Sequence, residues 1–397
     1  GNITASTLSL TAAGTIGQSG TELTTDVDTL DATTSSAGIF ITETNGLTIG
    51  ASGVSTTGGN AQIDLTLTAG GLSLDGAISA NGSGNVTLDL QAAGAALTTS
   101  AAGDNITSGS GDISITADTL TLANGDITSS GALVLQPLTV SRTMGVGNSA
   151  TGDFNFSDTE AALLSDGFSS ITIGRANSTG NLDIGTVSFA DPITLQTAGG
   201  TIDVDGTITG TGDASITLDA NSTITLSAGI TTASQTITLS DNVVIDAAVS
   251  LNTSSGGGAN VSFAGTVDAT AAVGAESLTV NAGANGDVDF NGAVGSSQSL
   301  DSLTIDADVV TFDSTTNIGG SLDIDAGGTV DFSGSLTTTS NGNIIISNAG
   351  TLTVNGNVNA AGVFNQDAAG AVSLNGDITA GSTIDVDGDL TLVQGVI

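Results

Sequence analysis

The sequence predicts an all-β fold, a parallel β-helix (β-solenoid) with coils of about 20 residues and one short helix-containing interruption. Three observations predict it. Apolar residues alternate with Thr, Ser or Asp in runs as short as Ile216-Thr217-Leu218, Ile224-Thr225-Leu226 and Ile237-Thr238-Leu239, the period-2 signature of strands rather than the 3.6-residue period of helices. These runs recur at a fixed interval. The 57 Gly and 2 Pro in 397 residues suit a chain that turns at many corners yet needs nearly every strand N–H for pairing.

The N-terminal region, 1–136, follows the repeat loosely, with Val86-Thr87-Leu88, Ile113-Ser114-Ile115 and Leu133-Val134-Leu135 as successive units. The C-terminal region, 193–397, follows it closely in three registers. One is Leu303/Ile305, Leu322/Ile324, Ile344/Ile346 and then Val363; the second is Val310, Val330, Leu352 and Val372. The third, Phe290, Phe312, Phe332, Val354 and Leu374, predicts a column of core side chains with stacked rings inside the coils. Coils piled about 4.8 Å apart bring such equivalent positions into contact. Units this small cannot bury an apolar face alone, so they stack.

Between them, 137–192 breaks the texture. It holds both arginines, Arg142 and Arg175, the single methionine, Met144, and Phe154, Phe156 and Phe168 among its phenylalanines. Ser157-Asp158-Thr159-Glu160 has the spacing of a capping box, in which Ser and Glu satisfy each other's backbone N–H groups. Ala161-Ala162-Leu163-Leu164 follows and Asp166-Gly167 stops it, which predicts a short helix at about 158–165 against the flank of the coils.

Composition excludes most chemistry. Lys and Arg total 2 against 40 Asp and Glu, for a formal net charge of −38, and the chain has no His, Cys, Trp or Tyr. Two arginines supply no basic footprint for nucleic acid. Zinc, haem and iron–sulfur sites built on His or Cys have no ligands, and a Ser–His–Asp nucleophile has no base. The 38% hydrophobic content, clustered in Val, Ile and Leu, argues against disorder despite the charge. No apolar run approaches the ~20 residues needed to span a bilayer, and residues 1–10 lack the pattern of a signal peptide.

The repeats, with Gly167-Phe168-Ser169-Ser170-Ile171-Thr172-Ile173-Gly174-Arg175 and Gly180-Asn181-Leu182-Asp183-Ile184, resemble those of large secreted bacterial exoproteins. These are the filamentous-haemagglutinin-like adhesins and the related passenger domains of autotransporters. The resemblance implies a right-handed parallel β-helix on the cell surface or in a sheath. The expected function is therefore a structural or adhesive extracellular rod, a segment of a large adhesin or a filament subunit. Its expected partners are copies associating end to end, or further repeats, together with a host or neighbouring-cell surface. Neither nucleic acid nor membrane insertion is expected. Absence of Cys agrees with export through the periplasm in an unfolded state.

Two other function classes are open to a β-solenoid of this composition. A polysaccharide-active β-helix would need paired carboxylates, for which Asp203 and Asp205, or Asp385, Asp387 and Asp389, are the candidates. Alternation along one strand would put such a pair about 7 Å apart on one face. Similar pairs are scattered through the repeats, and no Trp or Tyr is present to stack a sugar, so solvated strand faces are the expectation and no enzymatic activity is expected. Ice or cation binding would use regular Thr-x-Thr ladders, at 66–68, 207–209, 223–225, 236–238 and 351–353, or the acidic faces. The irregular coil length disfavours a flat ladder, and the tandem glycine-rich calcium nonapeptide does not occur; no cofactor is expected beyond weak calcium uptake. Arg142 and Arg175 are expected to form local ion pairs with Glu160 or Asp166.

Overall fold

The computed structural model describes residues 2–270 and 276–393. Almost every element is a parallel strand, and the chain forms a β-solenoid of stacked coils. Two compact units divide it, Gly1–Gly199 and Gly200–Ile397. Each builds its core the same way.

In the first unit the leading strand, Ile3–Ala12, pairs along its length with Leu23–Thr34, which continues onto Leu47–Thr56 through a bulge between Leu30 and Ala32. From there three strand stacks run up the coils. The first aligns Ile39, Ile63, Val86, Ile113, Leu133, Ile171 and Ile193. A second aligns Leu47, Leu72, Leu97 and Leu120, and a third Val54, Ile78, Ile106 and Ile127. All of these side chains are buried. Each contributes on the order of 1.5–3 kcal/mol by leaving water. The outward partners, such as Thr87 and Ser114, form the surface.

The second unit repeats the three stacks more regularly. One aligns Ile216, Ile237, Val261, Val288, Val310, Val330, Leu352, Val372 and Leu390. Another aligns Leu251, Val280, Ile305, Ile324 and Ile346. The registers expected at 310/330/352/372 and 303/322/344 are those observed. The position expected at Val363 is corrected by one residue. Phe364, not Val363, pairs with Ile344 and is buried, because the larger ring takes the inward side of the pleat.

Helix is confined, among the described residues, to one turn at Asp158–Ala161 and a 3₁₀ turn at Ser255–Gly257. The expected helix at 158–165 is therefore shorter. After Ala161 the chain extends to serve the third stack: Ile127 N–H donates to Leu163 O at 3.0 Å and Ser165 N–H to Ile127 O at 3.0 Å. An unpaired strand edge outcompetes a second helical turn. The interruption is also narrower than 137–192, since Ser170–Arg175 already lies back in the first stack, paired with Ala132–Gln136 and Ile193–Thr197.

Candidate functional site

The core column is the most regular constellation. Phe263, Phe290, Phe312 and Phe332 stack face to face, with ring centroids 4.5, 4.7 and 4.6 Å apart and interplanar angles of 6°, 1° and 5°. Val354 pairs with Phe332, and Leu374 with Val354, so the column continues in aliphatic side chains. Phe263 was not anticipated from sequence. Its Val261-Ser262-Phe263 matches Val288-Asp289-Phe290, but the longer coil between them hid the equivalence.

A second inward feature was also missed, because Thr and Ser were read as outward residues. Thr34, Thr56, Ser108 and Ser129 are buried. The Thr34 hydroxyl donates to Ala37 O, Thr56 to Ala61 O at 3.0 Å and Ser108 to Gly84 O at 2.8 Å. Thr56 and Ser108 also accept from the amides of Asn81 and Gly111. These hydroxyls close corners whose backbone groups would otherwise be buried unpaired. In the second unit Asn348 and Gln366 do the same with amides: Gln366 Nε2 donates to Asn348 Oδ1 at 3.0 Å and its Oε1 accepts from Gly388 N–H at 2.9 Å.

The interruption is pinned by polar latches. The capping box forms as expected: Glu160 N–H donates to Ser157 Oγ at 3.3 Å, and Ser157 N–H to Glu160 Oε2 at 2.8 Å. Glu160 Oε1 accepts from Leu122 N–H at 2.9 Å, and Asp158 Oδ1 from Ser188 N–H at 3.0 Å, which tie the turn to neighbouring strands. Beside it lies an open groove of about 410 Å³ that includes Thr121, Asn155, Ser157, Thr159 and Glu160. Both Glu160 oxygens are engaged by main-chain amides, so the one acid in the groove is committed to holding the fold.

The expected pairing of Arg142 and Arg175 with Glu160 or Asp166 is corrected. Arg142 Nη1 instead lies 3.8 Å from Asp118 Oδ2. Burial pushes the Asp118 carboxyl up. The amide of Gly94, the hydroxyl and amide of Thr139, and Arg142 outweigh that and hold it below the ordinary carboxylate range. Arg175 donates from Nη1 to Pro137 O at 3.0 Å and Leu138 O at 2.7 Å, and from Nε to Asn177 Oδ1 at 3.0 Å. Its fork fills a place where the chain leaves the stack and two carbonyls lose their strand partners. Gly174 aims it there: the residue sits at φ +104°, and a Cβ would lie 2.0 Å from Gln196 O. Asp166 is exposed on the turn after the helix.

The Asp pairs weighed for sugar chemistry do not share a strand. Asp203 lies within Ile202–Val204, but Asp205 is exposed beyond its end. Asp385 lies within Ile384–Val386, while Asp387 and Asp389 follow in the corner. Three-residue strands leave room for one outward side chain, so neither set alternates along one strand. The Thr columns are mixed as well, since Thr66 pairs with Asp89 and Thr225 with Val244.

The outward face of the Phe column carries carboxylates whose charges act on one another. Asp289 and Asp331 occupy the outward position of their strands, with Thr311 between them in register. Burial pushes the Asp289 carboxyl above its usual range, and Asp287 and Asp313 add to the shift against a hydrogen bond from Thr311. Asp331 is raised by burial and by Asp313.

Comparison of the chain with protein-family models, with curated proteins and with solved structures finds no match. No helix among the described residues is long and apolar enough to cross a membrane.

Proposed function

We propose that the chain is a structural and adhesive element of a secreted bacterial surface protein, a stiff acidic segment of a larger adhesin or of a surface filament. One observation carries this reading. Within each unit the coils share in-register parallel strand stacks and buried columns, such as Val261 through Val372 in the second unit. Backbone pairing of that kind transmits load from coil to coil and has no use for a deep cleft. The outward surface of Thr, Ser, Asn and Asp, with a net charge of −38, keeps such segments from adhering sideways to one another. Scarcity of Lys and Arg also removes most sites for trypsin-like proteases. Coils that continue by pairing at their strand edges fit both a longer protein and end-to-end association.

Immunolabelling of intact, unpermeabilised producing cells tests the reading, combined with an attachment assay of a deletion strain. Surface label and weakened attachment are expected. Label only after permeabilisation, or release of reducing ends from a polysaccharide that is lost on Asp203→Asn, would overturn it.

A further inference from the structure

Both arginines lie in the first unit, so residues 200–397 carry many carboxylates and no cationic side chain. The strands Val288–Phe290, Val310–Phe312 and Val330–Phe332 stack in register, with their Phe rings locked inside at centroid spacings of 4.7 and 4.6 Å. The spacing of the outward backbone positions is therefore set by the strand register. Asp289 and Asp331 take the outward positions on two of these strands, while Asp287 and Asp313 sit where the chain enters the first and leaves the second.

We propose that this column is a proton-responsive element, in which protonation at Asp289 and Asp331 relieves their crowding by the charges of Asp287 and Asp313 and tightens the coils that carry them. The strands packed on either side offer no countercharge: Val261–Phe263 presents Ser262 and Leu352–Val354 presents Thr353. Thr311 stands between the two central carboxylates. Asn260 donates to Asp287 at 3.4 Å, a long and neutral contact. Asp331 Oδ1 is buried without a hydrogen-bond partner, a position in which an ionised oxygen is penalised far more than a neutral one.

The sign follows from linkage. The folded-state values of Asp289 and Asp331 lie above the ordinary range for an aspartate. Their contribution to stability is therefore complete below the unfolded value and is lost as pH rises through the raised folded value. Residues 277–332 thus gain stability as pH falls from neutral toward about 4, the reverse of ordinary acid denaturation.

Thermal unfolding of the full chain at pH 7 and pH 4 tests this with the isosteric double variant Asp289→Asn/Asp331→Asn. A variant at exposed Asp205, Asp205→Asn, controls for loss of charge alone. The double variant is expected to melt higher than the native chain at pH 7, by roughly 2–4 °C per kcal/mol gained for a unit the size of Gly200–Ile397, and the gap is expected to shrink at pH 4. In the native chain, hydrogen exchange of peptides from 277–332, corrected for intrinsic rates, is expected to show more protection at the lower pH. A double variant no more stable at pH 7, a gap that persists at pH 4, a gain per removed charge matched by Asp205→Asn, or unchanged protection in those peptides would overturn the proposal.

Discussion

At the scale of the residue, side-chain identity matters most where coils place equivalents on top of one another. Phe312 is held between Phe290 and Phe332 and is almost fully buried. Truncation there removes two ring contacts and leaves a cavity that the rigid coils cannot collapse. Phe312→Ala is expected to cost about 3–5 kcal/mol in urea denaturation, with Phe312→Leu recovering most of the loss. Equal stability of the two variants would mean that the coils close around the gap. The polar counterpart is Thr56, whose hydroxyl both donates to Ala61 O and accepts from Asn81 N–H. Its role was invisible in the linear pattern, because Thr at an alternate position is also a good outward strand residue.

At the scale of the element, the short turn Asp158–Ala161 shows how a local signal and a tertiary demand divide a segment between them. The Ser157/Glu160 box was legible because its spacing is set by helix geometry alone. The helix's length was not, because Leu163 and Ser165 are claimed by the edge of Ile127. Ser157→Ala is expected to destabilise the interruption by about 1 kcal/mol. Hydrogen exchange at Leu122, whose amide depends on Glu160, should report it first. An unchanged exchange rate at Leu122 would show that the strand holds the turn, not the reverse. The arginines teach the same lesson. Charge alone suggested Glu160 and Asp166 as partners, but Glu160 was already committed to amides, and Arg175 was drawn to the carbonyls of Pro137 and Leu138.

At the scale of the whole molecule, a net charge of −38 spread over Asp-bearing coils makes self-repulsion a general cost. Salt is expected to stabilise the chain. The melting temperature should rise between 10 mM and 150 mM NaCl, as the Debye length falls from about 30 Å to about 8 Å. A fall over that range would mean that specific ion pairs, such as Arg142–Asp118, outweigh the diffuse field.

The sequence by itself determined the strand content, the coil period and most of the inward registers, such as Val310, Val330, Leu352 and Val372, because alternation and repetition are both written along the chain. It did not determine strand length, and so it placed Asp203 and Asp205 on one face when a corner separates them. It also missed Phe263, the inward hydroxyls and the true partners of both arginines. Only the tertiary structure decided those, for one physical reason. Corners and strand edges leave backbone amides and carbonyls in need of partners, and the side chain that meets the need is chosen by proximity across coils some 20 residues apart in sequence, which no local pattern records.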